Sequence, residues 1–139
     1  MTDHSGQCLC GAVTYEAKGL KSDVHACHCD MCRRFTGSAF IGVDFESLDD
    51  SGPTHWFQSS EWAERGSCGD CGSSLFWRTL DGSHLSVAVG SLDDASTLGP
   101  IALHYFHDKK PGAYGYSDTG RRLSSAETVA LFTGGEASE

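Results

Sequence analysis

Apolar and polar residues alternate with a period of two over several short stretches of this chain, and only rarely with the period of a helix. Residues 12–17 set Val13 and Tyr15 on one face and Thr14 and Glu16 on the other, the pattern of a half-buried strand. The same alternation recurs at 38–45 through Ala39, Ile41, Val43 and Phe45, and at 84–89 through Leu85, Val87 and Val89. Further strands are predicted at 24–27, 55–58, 74–79 and from about 101 to 106. Residues 18–23 read as a turn, 48–53 as a loop and 59–66 as a connection, by their Gly, Pro, Ser and Asp content.

Helical signals are few. Residues 33–38 suit one or two turns, with Asp30 as N-cap and Gly37 as stop. Residues 124–132 carry apolar positions at helical spacing behind Ser124, with Glu127 or Thr128 completing the cap and Gly134-Gly135 ending the element. Many short strands separated by frequent turns predict an all-β architecture, either a partly open barrel or two sheets. At 139 residues the chain is expected to form one domain.

Charge narrows the function classes. With 19 acidic residues against 10 basic, the chain lacks the Lys and Arg excess on which nucleic-acid affinity rests, so no nucleic-acid partner is expected. No run of about 18 apolar residues is present to span a membrane. Residues 1–6 have neither a basic nor an apolar segment of a secretory signal, and a cytoplasmic location is the expectation.

Seven cysteines change the picture most. In a reducing compartment a disulfide set is not expected, and an odd number cannot pair fully within one chain. They fall as C-x-C at Cys8 and Cys10, C-x-C-x-x-C at Cys27, Cys29 and Cys32, and C-x-x-C at Cys68 and Cys71. Gly11 and Gly72 follow the outer pairs, as tight sulfur-presenting turns require. Two outer knuckles complete a closed tetrahedron of four sulfurs for a structural zinc, although 57 residues separate Cys10 from Cys68. Cys27, Cys29 and Cys32 are then left to hold a second zinc with one position open, unless His25, His28 or Asp30 closes it. A zinc ion with three thiolates is electron-rich, which suits activation of a thiol better than hydrolysis.

The C-x-C-G at residues 8–11, the stretch from Cys27 to Phe40 and the stretch from Ser60 to Trp77 together resemble the glutathione-dependent formaldehyde-activating enzyme family over about residues 6–110. That resemblance implies a β-tent fold of several short antiparallel sheets around a structural zinc on Cys8, Cys10, Cys68 and Cys71. It also implies a catalytic zinc on Cys27, Cys29 and Cys32, and two Zn2+ per chain. The implied activity is that of a carbon-sulfur lyase joining glutathione and formaldehyde as S-hydroxymethylglutathione, with a small-molecule thiol and aldehyde as partners.

Arg33 and Arg34 could meet glutathione carboxylates, or one could be solvated while the other packs its stem on the core. Thr36, Gly37 and Ser38 could supply hydroxyl and backbone donors beside the metal. His104 is expected to be a satisfied core histidine, and His4, His55, His84 and His107 to be surface or packing residues. Trp62 and Trp77 should pack around the second knuckle. Two other classes stay open: a zinc-stabilised binding module without catalysis, and a thiol redox protein using Cys27, Cys29 and Cys32.

Overall fold

The protein, seen here as a computed structural model, is described over residues 3–134. Its elements are β1 (His4–Gln7), β2 (Thr14–Leu20), β3 (His25–Cys27), α1 (Asp30–Thr36), β4 (Phe40–Ser51), β5 (Thr54–Gln58), β6 (Ala63–Cys68), β7 (Ser74–Thr79), β8 (Leu85–Ala88), β9 (Leu103–Tyr105), β10 (Arg121–Arg122) and α2 (Ser125–Phe132). This is the mainly β class that the alternation predicts. The described residues divide into two compact units, one of 3–22 with 42–98 and one of 23–41 with 99–134.

In the first unit the strands run antiparallel in the order β1-β2-β4-β8-β7-β6-β5. At 12 residues β4 is long enough to serve two ladders, Gly42 to Asp44 against β8 and Phe45 to Ser51 against β2. The predicted inward residues Val13, Tyr15, Val43, Phe45, Leu85 and Val87 meet Leu75 and Phe76 in one core. Phe76 is fully buried, edge-on to Tyr15 with ring centroids 5.1 Å apart and stacked on Trp56 at 5.6 Å. Each such side chain contributes about 1.5–3 kcal/mol when removed from water.

Three segments of this unit depart from the pattern-based reading. Residues 18–20 extend β2, because Lys18 and Leu20 pair with Ser47 and Phe45, and residues 48–51 extend β4 for the same reason. The 59–66 connection holds most of β6, an inner strand bonded to β5 on one side and β7 on the other. Its polar sequence hides this, yet Gly66 must lack a side chain: a Cβ there would come within 2.9 Å of the Phe76 ring. β1 carries no apolar side chain facing the core, and a Cβ on its Gly6 would collide with the Tyr15 ring.

The second unit contains a parallel ladder, β3-β9-β10, in which Ala26 and Arg122 both lie opposite His104. Local alternation cannot report strand direction, so this ladder differs from the antiparallel expectation. α1 starts one residue earlier than read from sequence: Cys29, not Asp30, is the N-cap, its Sγ accepting from the Cys32 N–H at 3.3 Å. Asp30 sits in the first turn instead, where a carboxylate suits the helix dipole. Gly37 ends α1 in the left-handed region at φ 90°, as expected. α2 begins with the predicted capping box between Ser124 and Glu127 and is followed by Gly134 at φ 81°. Gly135, the other half of the predicted stop, lies outside the described residues.

Candidate metal centres

Two sulfur clusters form, one in each unit. In the first, the turn after β1 folds back through Cys8 N–H to Val13 O at 3.1 Å and Gly11 N–H to Cys8 O at 3.2 Å, with Gly11 at φ 81°. The turn after β6 repeats this geometry: Cys68 N–H donates to Ser73 O at 3.0 Å, Gly72 N–H to Cys68 O at 2.9 Å, and Gly72 also lies at φ 81°. The Sγ atoms of Cys8, Cys10, Cys68 and Cys71 all lie within 4.8 Å of one another. Cys8 to Cys10 is 3.7 Å and Cys10 to Cys68 is 3.9 Å.

Backbone N–H groups are aimed at these sulfurs, from Val13 to Cys8 at 3.3 Å and from Asp70 and Cys71 to Cys68 at 3.3 and 3.4 Å. Such donors favour thiolate over thiol. The Ser73 hydroxyl, 3.1 Å from Cys71 Sγ, together with backbone donors holds the Cys71 thiol down at about 5. Four converging sulfurs form a donor set that fits a tetrahedral zinc.

In the second unit the Sγ atoms of Cys27, Cys29 and Cys32 also lie within 4.8 Å of one another. The end of β3 supplies Cys27, the α1 cap supplies Cys29 and the first turn of α1 supplies the buried Cys32. Hydrogen bonding to Cys29 and Cys32, followed by burial, pushes the Cys27 thiol well above its ordinary range. Three thiols so close cannot all ionise unaided, and a bound dication reverses that logic. Among the described residues no His, Asp or Glu ligand atom joins this trio. Of the expected fourth ligands, Asp30 pairs with Arg33 within α1 and His28 Nε2 is bonded to His104.

His28 anchors the trio from within. It is fully buried, its backbone N–H donates to Tyr105 O at 3.0 Å, and its Nε2 lies 2.9 Å from His104 Nδ1. His104, also fully buried, reaches Asp118 through Nε2 at 3.0 Å from Oδ2 and 3.1 Å from Oδ1. Arg122 Nη1 and the Gly120 N–H complete the carboxylate's partners at 3.1 and 2.9 Å. His107 lies edge-on to both imidazoles. Burial, followed by the neighbouring imidazoles of His104 and His107 and the cations Lys110 and Arg122, lowers His28 to about 4.

His104 is therefore the satisfied core histidine expected, and His107 packs against it. Asp118 was not singled out in the sequence: it stands in a polar Gly-, Ser- and Thr-rich segment, 14 residues from His104, and no local pattern marks its burial.

Of the remaining candidates, Arg34 is exposed, and the buried Arg33 Nε has no hydrogen-bond partner among the described residues. The Thr36 hydroxyl is engaged with Cys32 O and Ala39 O at 3.0 and 3.1 Å and with the Ser38 N–H at 3.2 Å, so it closes the end of α1. A Cβ at Gly37 would meet nothing within 4 Å. Trp62 and Trp77 pack edge-on at 5.7 Å. Among the described residues no helix is long and apolar enough to cross a membrane.

Comparison with known proteins accords with this arrangement. Residues 3–109 match the sequence model of the glutathione-dependent formaldehyde-activating enzyme family. An uncharacterized lyase of Schizosaccharomyces pombe is 29% identical over 87 residues, which cover 60% of this chain and 64% of that protein. The match thus spans just under two thirds of the length of that relative. A crystal structure of a Rhodobacter sphaeroides protein is similar with a TM-score of 0.58 and 25% identity, over 70% of this chain and 96% of that one.

Proposed function

Because the chain belongs to the glutathione-dependent formaldehyde-activating enzyme family, we propose that it is a carbon-sulfur lyase that adds a thiol, glutathione, reversibly to formaldehyde or another small aldehyde. The observation that carries this reading is the trio Cys27, Cys29 and Cys32, whose sulfurs converge with no fourth ligand from the described chain. A zinc ion held there would supply an electron-rich centre with one position at which a substrate thiol can ionise. The sulfur lone pair then forms a bond to the aldehyde carbon, the carbonyl π pair moves to oxygen, and that oxygen takes up the proton the thiol gave. No atom or electron enters from elsewhere, so the step runs in either direction.

The chain's own residues have separate tasks. Cys29 caps α1 and faces the site at once, so the helix and the sulfur cluster form together. Arg33 and Arg34 on α1 supply positive charge for glutathione carboxylates, and the Ser38 hydroxyl supplies a neutral donor, while the Gly37 N–H is spent on Arg33 O in closing the helix. A zinc on Cys8, Cys10, Cys68 and Cys71 has a structural task, since a closed tetrahedron leaves no room for substrate. Thiolate clusters of this kind suit a reducing compartment such as the cytoplasm.

The test is exchange spectroscopy of glutathione with formaldehyde, and of a panel of other thiols and aldehydes, measured as acceleration above the uncatalysed background. Wild-type protein carrying two zinc ions should accelerate exchange, and Cys29→Ser, folded by circular dichroism, should not. A folded Cys29→Ser protein of full activity, or a two-zinc wild type that accelerates no pair, would refute the proposal.

A further inference from the structure

C-x-C places His28 between two sulfurs, and the sequence alternates in exposure there: Cys27 and Cys29 are partly exposed while His28 is fully buried. The residue that turns inward thus decides where the two outward sulfurs stand. Its backbone is tied to Tyr105 and its ring to His104, so both ties run to β9. β9 is itself held on two sides, by β3 and by β10.

The hydrogen-bond roles along this ladder are set from its far end. Asp118 has a side chain 7% exposed and takes bonds from Arg122 and the Gly120 N–H, partners that only an acceptor satisfies. It therefore accepts the Nε2–H of His104. A neutral His104 then presents Nδ1 as an acceptor, and the only bond it can make at 2.9 Å is from the Nε2–H of His28. Consistent with this, His28 Nδ1 is buried and has no hydrogen-bond partner among the described residues. The two rings pack nearly parallel, 7° apart with centroids at 5.1 Å, which leaves little freedom for either to rotate.

We infer that Asp118 and His104 are positioning residues for the three-thiol loop: through the ladder they hold the His28 ring in its Nε2–H tautomer and thereby hold the Cys27 and Cys29 sulfurs at the spacing a metal ion needs. This rests on the reading of Cys27, Cys29 and Cys32 as a metal site. Neither residue touches the sulfurs, so neither acts on the reaction directly. Among the described residues the cluster of the first unit, whose donors are backbone N–H groups and Ser73, has no such ladder, and it serves as an internal control.

Two measurements test this on the full-length zinc-loaded protein. Long-range proton–nitrogen correlation spectra of the wild type read imidazole tautomers directly, and both His28 and His104 should carry the proton on Nε2. An Nδ1–H form of either ring would overturn the inference without any variant. Chelator competition then reads zinc affinity at each cluster in Asp118→Asn. Partners that orient metal ligands typically affect affinity 10–100-fold, so the trio should release zinc about 10-fold more readily while the four-sulfur cluster is unchanged. Equal weakening of both clusters, or no change at the trio, would overturn the positioning role while leaving the metal site standing. A wild type that binds only one zinc would refute the metal reading itself.

Discussion

The two sulfur clusters should differ in how much they stabilise the fold, because they close loops of different length. Cys10 and Cys68 are 58 residues apart, whereas Cys27, Cys29 and Cys32 sit within one short turn. A metal ion stabilises the native state only by the difference between its affinity for folded and unfolded chain. An unfolded chain can still chelate with the local trio. To chelate with the first cluster it must first bring two distant knuckles together. Loop-closure entropy runs from about 3 kcal/mol for 15 residues to about 4.7 kcal/mol for 100, which places the first cluster at about 4 kcal/mol. The same relation gives about 2 kcal/mol for a five-residue loop.

Since a domain has only about 5–15 kcal/mol in total, Cys68→Ser should remove a large share of the stability and Cys29→Ser about half as much. At roughly 2–4 °C per kcal/mol for a chain of this size, the expected falls are about 12 °C and about 6 °C. Thermal unfolding in saturating zinc, with metal content measured on each protein, makes the comparison. A Cys29→Ser protein that melts as low as Cys68→Ser, or a Cys68→Ser protein that melts with the wild type, would refute the loop-length argument.

Two further outcomes follow from single contacts. Phe106 has the one positive φ among described non-glycine residues, at 53°, and its N–H is received by the fully buried Thr128 hydroxyl at 3.0 Å, which also donates to Ser124 O at 2.8 Å. Thr128→Val keeps the shape and strands that donor, so urea unfolding should show a loss of about 1–3 kcal/mol; no loss would mean the N–H finds water. Burial works to raise the Asp108 carboxyl, but the Ser125 hydroxyl and N–H outweigh it and hold the group below its usual range. A carboxyl depressed in the folded state adds stability above its unfolded value, lost as pH falls through the folded one. The stability gap between wild type and Asp108→Asn should therefore narrow as pH drops from 7 to 3, and a gap that stays constant would contradict the assignment.

Much of the site was legible from residue order because its signals are local. C-x-C and C-x-x-C spacings followed by glycine specify turns that present two sulfurs together, and Gly11 and Gly72 adopt the positive φ those turns require. Alternation marked Val13, Tyr15, Val43, Phe45 and Val87 as core, and the capping box at Ser124 marked α2. What pattern misread were segments whose partners lie far along the chain. β6 is polar and became an inner strand only because β5 and β7 satisfy its backbone on both sides. The N-cap of α1 passed from Asp30 to Cys29 because a sulfur met the Cys32 N–H.

Residue order alone therefore determined the mainly β class, the grouping of seven thiols into knuckles of two, three and two, and the turns that carry them, since each depends on spacing within a few residues; the fold then joined the outer two knuckles. Tertiary structure alone decided that β3, β9 and β10 run parallel, and that Asp118, through His104, stands behind His28. No short-range pattern encodes a bond between residues 76 positions apart. Only the packed ladder makes a buried carboxylate and two imidazoles satisfy one another.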